Sequence, residues 1–140
     1  MKYRLFLAAS LVLAGAAAAL AHSFIQGPIE IGHPWARPTA ARDGAAYLVL
    51  ATMGTETDRL VGAETPIADR VEIHNAAGGV RQFLEIAPKR PFALRPGRAA
   101  LALIDLKQPL VIGMSFPMTL RFAAAGTVEI TVLVEASPGE

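Results

Sequence analysis

The chain contains no cysteine in its 140 residues. This absence excludes disulfide bonds, thiol catalysis, iron–sulfur clusters and any blue-copper site that needs a thiolate. An excess of one charge is missing as well, because 13 Lys and Arg stand against 12 Asp and Glu, for a formal net charge of +1. A protein that binds nucleic acid through bulk electrostatics would carry a clear basic excess. We therefore predict no nucleic-acid partner.

Recognisable catalytic motifs are also lacking. The sequence has no Gly-rich phosphate loop and no H-x-x-x-H zinc pair. His74, Asp105 and Ser115 could be combined on paper into a hydrolase trio. However, the segment Gly113-Met114-Ser115-Phe116-Pro117 fails the G-x-S-x-G nucleophile elbow at its last position. We therefore expect the protein not to be an enzyme.

The first 21 residues are typical of a secretory signal peptide. Lys2 and Arg4 precede an apolar run from Leu5 to Leu20, and Ala19-Leu20-Ala21 fits the small-x-small cleavage rule. The alternative is an uncleaved membrane anchor, but the run is Ala-rich and short, and no basic stop-transfer cluster follows it. Cleavage after Ala21 removes two cations and no acid, which changes the net charge from +1 to −1. We predict a periplasmic protein with no transmembrane segment after cleavage, whose residues 22–140 form one domain.

Short alternating segments, separated by Gly or Pro, fill the rest of the chain, which has 12 Gly and 10 Pro in all. The clearest is Thr127 to Val134, where Val128, Ile130, Val132 and Val134 alternate with the other residues. No window of ten or more residues shows a convincing helical stripe. This pattern predicts an antiparallel β-sandwich of seven to ten strands. The other predicted strands are Ile29 to His33 (ending at Pro34), Tyr47 to Leu50, Val71 to His74, Val80 to Ile86, Ala99 to Leu106 and Phe116 to Phe122.

Three histidines are candidate metal ligands. His22 would become the amino-terminal residue after cleavage, and its amine and imidazole suit the nitrogen preference of Cu(II). Alternatively, it is a first residue with no partner. His33 precedes Pro34 and could be a ligand or a hydrogen-bonded residue at a strand end. His74 shares a predicted strand face with Glu72, which could orient its ring.

Five segments together make the chain resemble the periplasmic copper chaperones called PCu(A)C. The resemblance extends from about Ile25 to Glu135, and the order and spacing of the segments make it specific. It implies a cupredoxin-like β-sandwich that binds Cu(I) through His and Met. It also implies delivery of copper toward cytochrome oxidase assembly, through a copper-accepting periplasmic or membrane-anchored assembly protein. The segments are Ile31 to Pro38, Gly44 to Leu48, Asp58 to Ala63, Val71 to His74 and Leu106 to Leu110.

The resemblance also implies where copper ligands should stand, and most of those positions lack a donor. His74 matches the first family ligand. The Met position that closely follows it falls near Ala76, and a further Met position about ten residues on falls near Phe83. The family's H-x-M pair on a strand matches Ala100 and Ala102. Residues i and i+2 of a strand project from one face, which is why that spacing can serve one ion. Because alanine offers no donor, we expect copper, as Cu(I) or Cu(II), to bind weakly or not at all.

Two further features could carry function. Met53, Met114 and Met118 could form a relocated copper site, although methionine more often fills a core. Lys89, Arg90, Arg95 and Arg98 form a basic cluster without an acid, here called the basic loop. It could dock an acidic partner or a phosphate, or it could be a solvated edge that blunts strand pairing.

Two functional hypotheses remain open at this point. The first is a copper-chaperone-like protein, which the three histidines keep open. The second is a metal-free β-sandwich binding module that contacts a periplasmic protein partner. Ala100 and Ala102 favour the second hypothesis.

Overall fold

A computed structural model describes residues 23–137 of the chain, so the predicted signal peptide and His22 lie outside the described residues. Within that range every regular element is a β-strand, and none of its elements is a helix that could cross a membrane. The strands are β1 (Ser23–Gln26), β2 (Ile29–Ala36), β3 (Gly44–Thr52), β4 (Asp58–Glu64), β5 (Ala68–His74), β6 (Val80–Arg81), β7 (Leu84–Ile86), β8 (Phe92–Ala93), β9 (Ala100–Leu106), β10 (Ser115–Phe122) and β11 (Gly126–Val134).

The strands follow the order β6-β5-β9-β3-β2-β11-β10-β4-β7, with β1 paired to β2 and β8 paired to β3. All pairs are antiparallel except β2 and β11, which run parallel over the two pairs Leu133↔Trp35 and Val134↔Ala36. This short parallel contact joins one half of the sandwich, β6-β5-β9-β3-β2, to the other half, β11-β10-β4-β7. The all-β sandwich is therefore confirmed.

Alternation along the strands builds the core. In β11, Ile130, Val132 and Val134 are buried, while Glu129 and Thr131 are exposed. The partner strand β10 adds Phe116, Met118, Leu120 and Phe122 from its own inward face. At roughly 1.5–3 kcal/mol for each large apolar side chain fully buried, such faces supply most of the driving force for folding.

The strand count exceeds the predicted seven to ten, because the described chain has eleven strands, some of only two residues. The predicted strand from Val80 to Ile86 was wrong as a single element. Val80 and Arg81 pair with β5, whereas Leu84 to Ile86 pair with β4. The chain crosses from one edge of the fold to the other at Gln82 and Phe83, and this interrupts the strand.

The prediction that the strand beginning at Ile29 ends at Pro34 was also wrong, because this strand, β2, continues to Ala36. A register shift between Gly32 and Trp35 marks a β-bulge, and His33 there has a φ of 48°. Such a left-handed conformation is uncommon for residues other than glycine. The bulge breaks the alternation, so that Pro34, Trp35 and Ala36 are all buried although they are consecutive.

One buried carboxylate stabilises the turn between β10 and β11 by accepting hydrogen bonds from its backbone. Asp58, at the start of β4, is only 5% exposed. Its Oδ1 accepts hydrogen bonds from the backbone N–H groups of Arg59 (2.7 Å) and Ala124 (2.8 Å), and its Oδ2 accepts from Ala125 (2.9 Å). Burial favours protonation, but these three N–H donors outweigh it and hold the pKa of Asp58 below its usual value. The Ala123–Ala125 segment is thus the connection between the two strands.

Candidate metal centre

The antiparallel pairing of β5 with β9 brings together the positions that the family resemblance assigns to copper ligands. His74 lies directly opposite Ala100, and Glu72 lies directly opposite Ala102. Opposite residues in such a pair have Cβ atoms about 4.5–5.5 Å apart, so side chains at these four positions could meet at one ion. We call this group of four residues the ladder site.

Only one strand of the ladder site carries donor atoms. His74 Nε2 lies 3.2 Å from Glu72 Oε1, and Glu72 Oε2 accepts a hydrogen bond from Arg70 Nε at 3.4 Å. The bond with the His74 ring, followed by the Arg70 guanidinium, holds the pKa of Glu72 below its usual value despite partial burial. The His74 side chain is 25% exposed, so solvent and a metal ion can reach it. Ala100 and Ala102 contribute methyl groups, and a thioether is absent from all four positions.

A cleft of about 600 Å³ lies next to the ladder site. Ala76, in the exposed turn after β5, and Phe83, in the crossing between β6 and β7, both line it. The structure therefore places these two predicted positions near the end of β5, but neither side chain can bind copper. The remaining lining residues are Asn75, Arg81, Leu84, Glu85, Pro91, Phe92, Ala93, Arg98 and Ala99. Sequence reasoning missed this cleft, because its residues come from four separate segments.

His33 lies elsewhere, at the bulge in β2. Its Nε2 is 3.6 Å from Glu135 Oε2. It lines a second cleft, of about 490 Å³, together with Trp35, Arg37 and Arg95. Strand β1, which was not predicted, pairs with β2 beside it, and its first residue Ser23 is opposite Gly32. The amino-terminal end of the described chain is therefore adjacent to His33.

The three candidate methionines of the proposed relocated site occupy different environments. Met53 follows β3 and is 64% exposed, whereas Met118 is buried in the core. Met114 packs partly against the core, and its Sδ accepts a hydrogen bond from the N–H of Val111 at 3.2 Å. Met118 thus fills the core as expected for that residue type, whereas Met53 does not.

The hydrolase trio is not joined by any hydrogen bond in the part of the chain that the structure describes. His74 contacts Glu72, Asp105 contacts the guanidinium of Arg42, and Ser115 begins β10 in the other half of the sandwich. Across residues 23–137, no three His, Asp or Glu side chains lie close enough together to hold a metal ion. The donors present in the described residues therefore form at most partial sites.

Comparison with known sequences places most of the chain in one family. The model of the LpqE-like family, described as "Putative lipoprotein LpqE-like", matches residues 29–134. A relative from Leifsonia xyli subsp. xyli (strain CTCB07), "Putative lipoprotein Lxx21020", is 25% identical over 119 residues. That alignment covers 79% of this chain and 72% of the relative.

Solved structures similar to this chain include copper-bound proteins. The apo PCuAC domain from PmoF1 matches with a TM-score of 0.78 and 29% identity, over 83% of this chain and 100% of that domain. The copper-bound PCuAC domain from PmoF2 matches with a TM-score of 0.76 and 29% identity, over 83% and 99% respectively. The solution structure of CuI-DR1885 from Deinococcus radiodurans has a TM-score of 0.66 and 25% identity, over 88% and 87%.

These matches agree with the strand architecture and confirm the resemblance on which the ligand positions were assigned. They cover nearly the whole described range, from β2 to β11. The chain belongs to the LpqE-like family, whose fold is that of the PCuAC copper-chaperone domains.

Proposed function

We propose that the protein is a copper-chaperone-like protein of the periplasm that binds Cu(II) through nitrogen donors. Similarity to copper-bound PCuAC domains supports a role in copper handling. The donor chemistry supports the choice of oxidation state. Cu(I) favours soft thioether sulfur, whereas Cu(II) favours nitrogen and oxygen, and the ladder site offers only the His74 imidazole and the Glu72 carboxylate.

The main copper site in this proposal is at the mature amino terminus. The observation that carries it is the pairing of Ser23 with Gly32, next to His33. Consecutive Cα atoms are 3.8 Å apart, so cleavage after Ala21 would create the new amino group within two residues of this strand pair. The amine and imidazole of His22 and the imidazole of His33 are then three nitrogen donors for one ion. The ladder site, with one imidazole, would hold a second copper ion more weakly.

Copper delivery follows from the same proposal. A site with nitrogen donors next to the mature amino terminus can release its ion to a copper-accepting periplasmic or membrane-anchored assembly protein, and the family resemblance points to cytochrome oxidase assembly as the destination. The signal-like segment and the lipoprotein names of the matched family support a location in the cell envelope.

The proposal is tested by titrating Cu(II) and Cu(I) into mature protein exported with its own signal and verified by mass spectrometry to begin at His22. His33→Asn is the informative variant, because asparagine tolerates the left-handed backbone at this bulge. We expect it to remove the stronger Cu(II) equivalent, while His74→Ala, the matched control, leaves that equivalent in place. Equal Cu(II) binding by both variants and wild type would contradict the proposed site.

A metal-free binding module is the second candidate, and the observation that favours it is the lack of donors at Ala100 and Ala102. In that case the mature protein binds neither copper ion above the level of the double variant His33→Asn/His74→Ala. The same titration therefore decides between the two functions.

A further inference from the structure

The cleft beside the ladder site combines apolar walls with positive charge, and copper binding does not explain this combination. Its volume of about 600 Å³ is within the roughly 300–1,000 Å³ typical of ligand sites. Phe83, Leu84 and Phe92 give it apolar walls, and Arg81 and Arg98 line it with positive charge. Glu85 contributes the one carboxylate among its lining residues.

The charge of Glu85 is matched by a neighbouring cation. Glu85 in β7 lies directly opposite Arg59 in β4, so the two side chains share a face of the sheet. The Arg59 guanidinium also lies 4.4 Å from the centre of the Phe83 ring. Because Arg59 offsets the charge of Glu85, the two arginines that line the cleft, Arg81 and Arg98, give it a net positive charge.

The side chains of Arg81 and Arg98 are available to bind an anion. Both are exposed, and neither makes an ion pair with any residue between 23 and 137. Arg98 lies on a tight turn, in which its N–H donates to the carbonyl of Arg95 at 2.9 Å and Gly97 has a φ of 81°. Holding the backbone of this arginine in place lowers the entropy cost of binding an anion.

Positive charge continues along the chain beyond the cleft. Lys89, Arg90 and Arg95 of the basic loop are exposed, and no acidic residue occurs between Glu85 and Asp105. A small carboxylate in the cleft would meet only the cations that line it. An extended acidic chain could meet the basic loop as well, and such charge complementarity speeds and orients association.

We propose that this cleft and the basic loop bind an acidic segment of a partner protein. An aromatic side chain of that segment would pack against Phe83 and Phe92, and the flanking carboxylates would pair with Arg81 and Arg98. Apolar anchors surrounded by charge pairs are typical of protein interfaces. This surface requires no copper, so it stands independently of the proposed copper site.

The test uses copper-free protein and a capped peptide of sequence Glu-Glu-Phe-Glu-Glu, with binding followed by amide NMR shifts. We expect saturable shifts at Asn75, Phe83 and Ala99, which weaken as salt is raised because exposed charges are screened. Arg81→Gln and Arg98→Gln should each weaken the peptide by about fivefold or more, because a charge-assisted hydrogen bond is lost. Arg121→Gln is the matched control, since its guanidinium lies over Gly62 on a different part of the sandwich, and we expect wild-type affinity.

Three results would overturn the inference. The peptide could cause no saturable shifts in the cleft, or the Arg81→Gln and Arg98→Gln variants could bind it as tightly as wild type. The third is 3-phenylpropionate binding as tightly as the peptide, which would assign the cleft to small carboxylates instead. The His74→Ala variant should bind the peptide normally, so a failure of copper binding and a failure of this surface can be told apart.

Discussion

Replacing Asp58 by alanine should destabilise the protein more than removing any exposed carboxylate. Three backbone N–H groups donate to this side chain at 2.7–2.9 Å, and it is 5% exposed. Hydrogen bonds to a charged group contribute roughly 1.5–3 kcal/mol each, but Ala124 is an exposed residue, so water can partly replace its lost bond in the variant. We therefore expect the free energy of unfolding to fall by about 3 kcal/mol, a large share of the roughly 5–15 kcal/mol typical of a domain.

The assay is urea unfolding followed by the fluorescence of the buried Trp35. Asp69→Asn is the control, because Asp69 is exposed and makes only a surface ion pair with Arg70, worth up to about 1 kcal/mol. If the urea midpoints of Asp58→Ala and Asp69→Asn are equal, Asp58 does not stabilise the turn, and this result would refute the prediction.

The contribution of Asp58 also depends on pH. Because its pKa is lower in the folded protein than in the unfolded chain, its ionised form stabilises the fold fully above the unfolded pKa of about 3.8. This stability is lost as the pH falls below that value and through the folded pKa. The difference in unfolding free energy between wild type and Asp58→Asn should therefore be constant near neutral pH and shrink in acid. A difference that grows in acid would contradict the assignment.

Three further changes test the candidate metal centre and the core. His74→Ala should remove the weaker copper equivalent in a copper titration and change the unfolding free energy by less than about 1 kcal/mol. Loss of the stronger equivalent would contradict the assignment of His74 to the weaker site. Ala100→His together with Ala102→Met should raise Cu(I) affinity by at least about tenfold in chelator competition, because an imidazole then lies opposite His74 and a soft thioether lies opposite Glu72. No gain in affinity would show that the ladder geometry is wrong. Met118→Ala should cost about 2–5 kcal/mol in urea unfolding, whereas Met53→Ala should be close to neutral, and equal effects would refute the assigned burial.

Local patterns predicted the parts of the fold that depend on local chemistry. The alternation from Thr127 to Val134 gave the correct strand, and the i, i+2 spacing placed His74 and Glu72 on one face, where they are in contact. Short alternating segments separated by Gly or Pro predicted the sandwich, and the resemblance to the PCu(A)C family implied the same fold. These features depend on strand periodicity, which a sequence displays directly.

The features that sequence reasoning missed depend on pairing between distant segments. Strand β1 is recognisable only through its pairing with β2, and the break at Gln82 and Phe83 follows from the separate partners of β6 and β7. The bulge at His33 gives no sequence signal beyond the adjacent proline. The cleft likewise requires four segments to meet, so the basic loop was visible in the sequence but its position beside Phe83 and Arg81 was not.

The proposed nitrogen-donor site for Cu(II) combines the mature amino terminus with His33. Electron paramagnetic resonance of the mature protein with one equivalent of Cu(II) tests it most directly, because bound nitrogens split the copper signal. We predict splitting from three nitrogens in protein that begins at His22, and its reduction when two extra residues precede His22 and block the amine. A spectrum typical of oxygen ligands, or an identical spectrum for the native and extended termini, would contradict the claim.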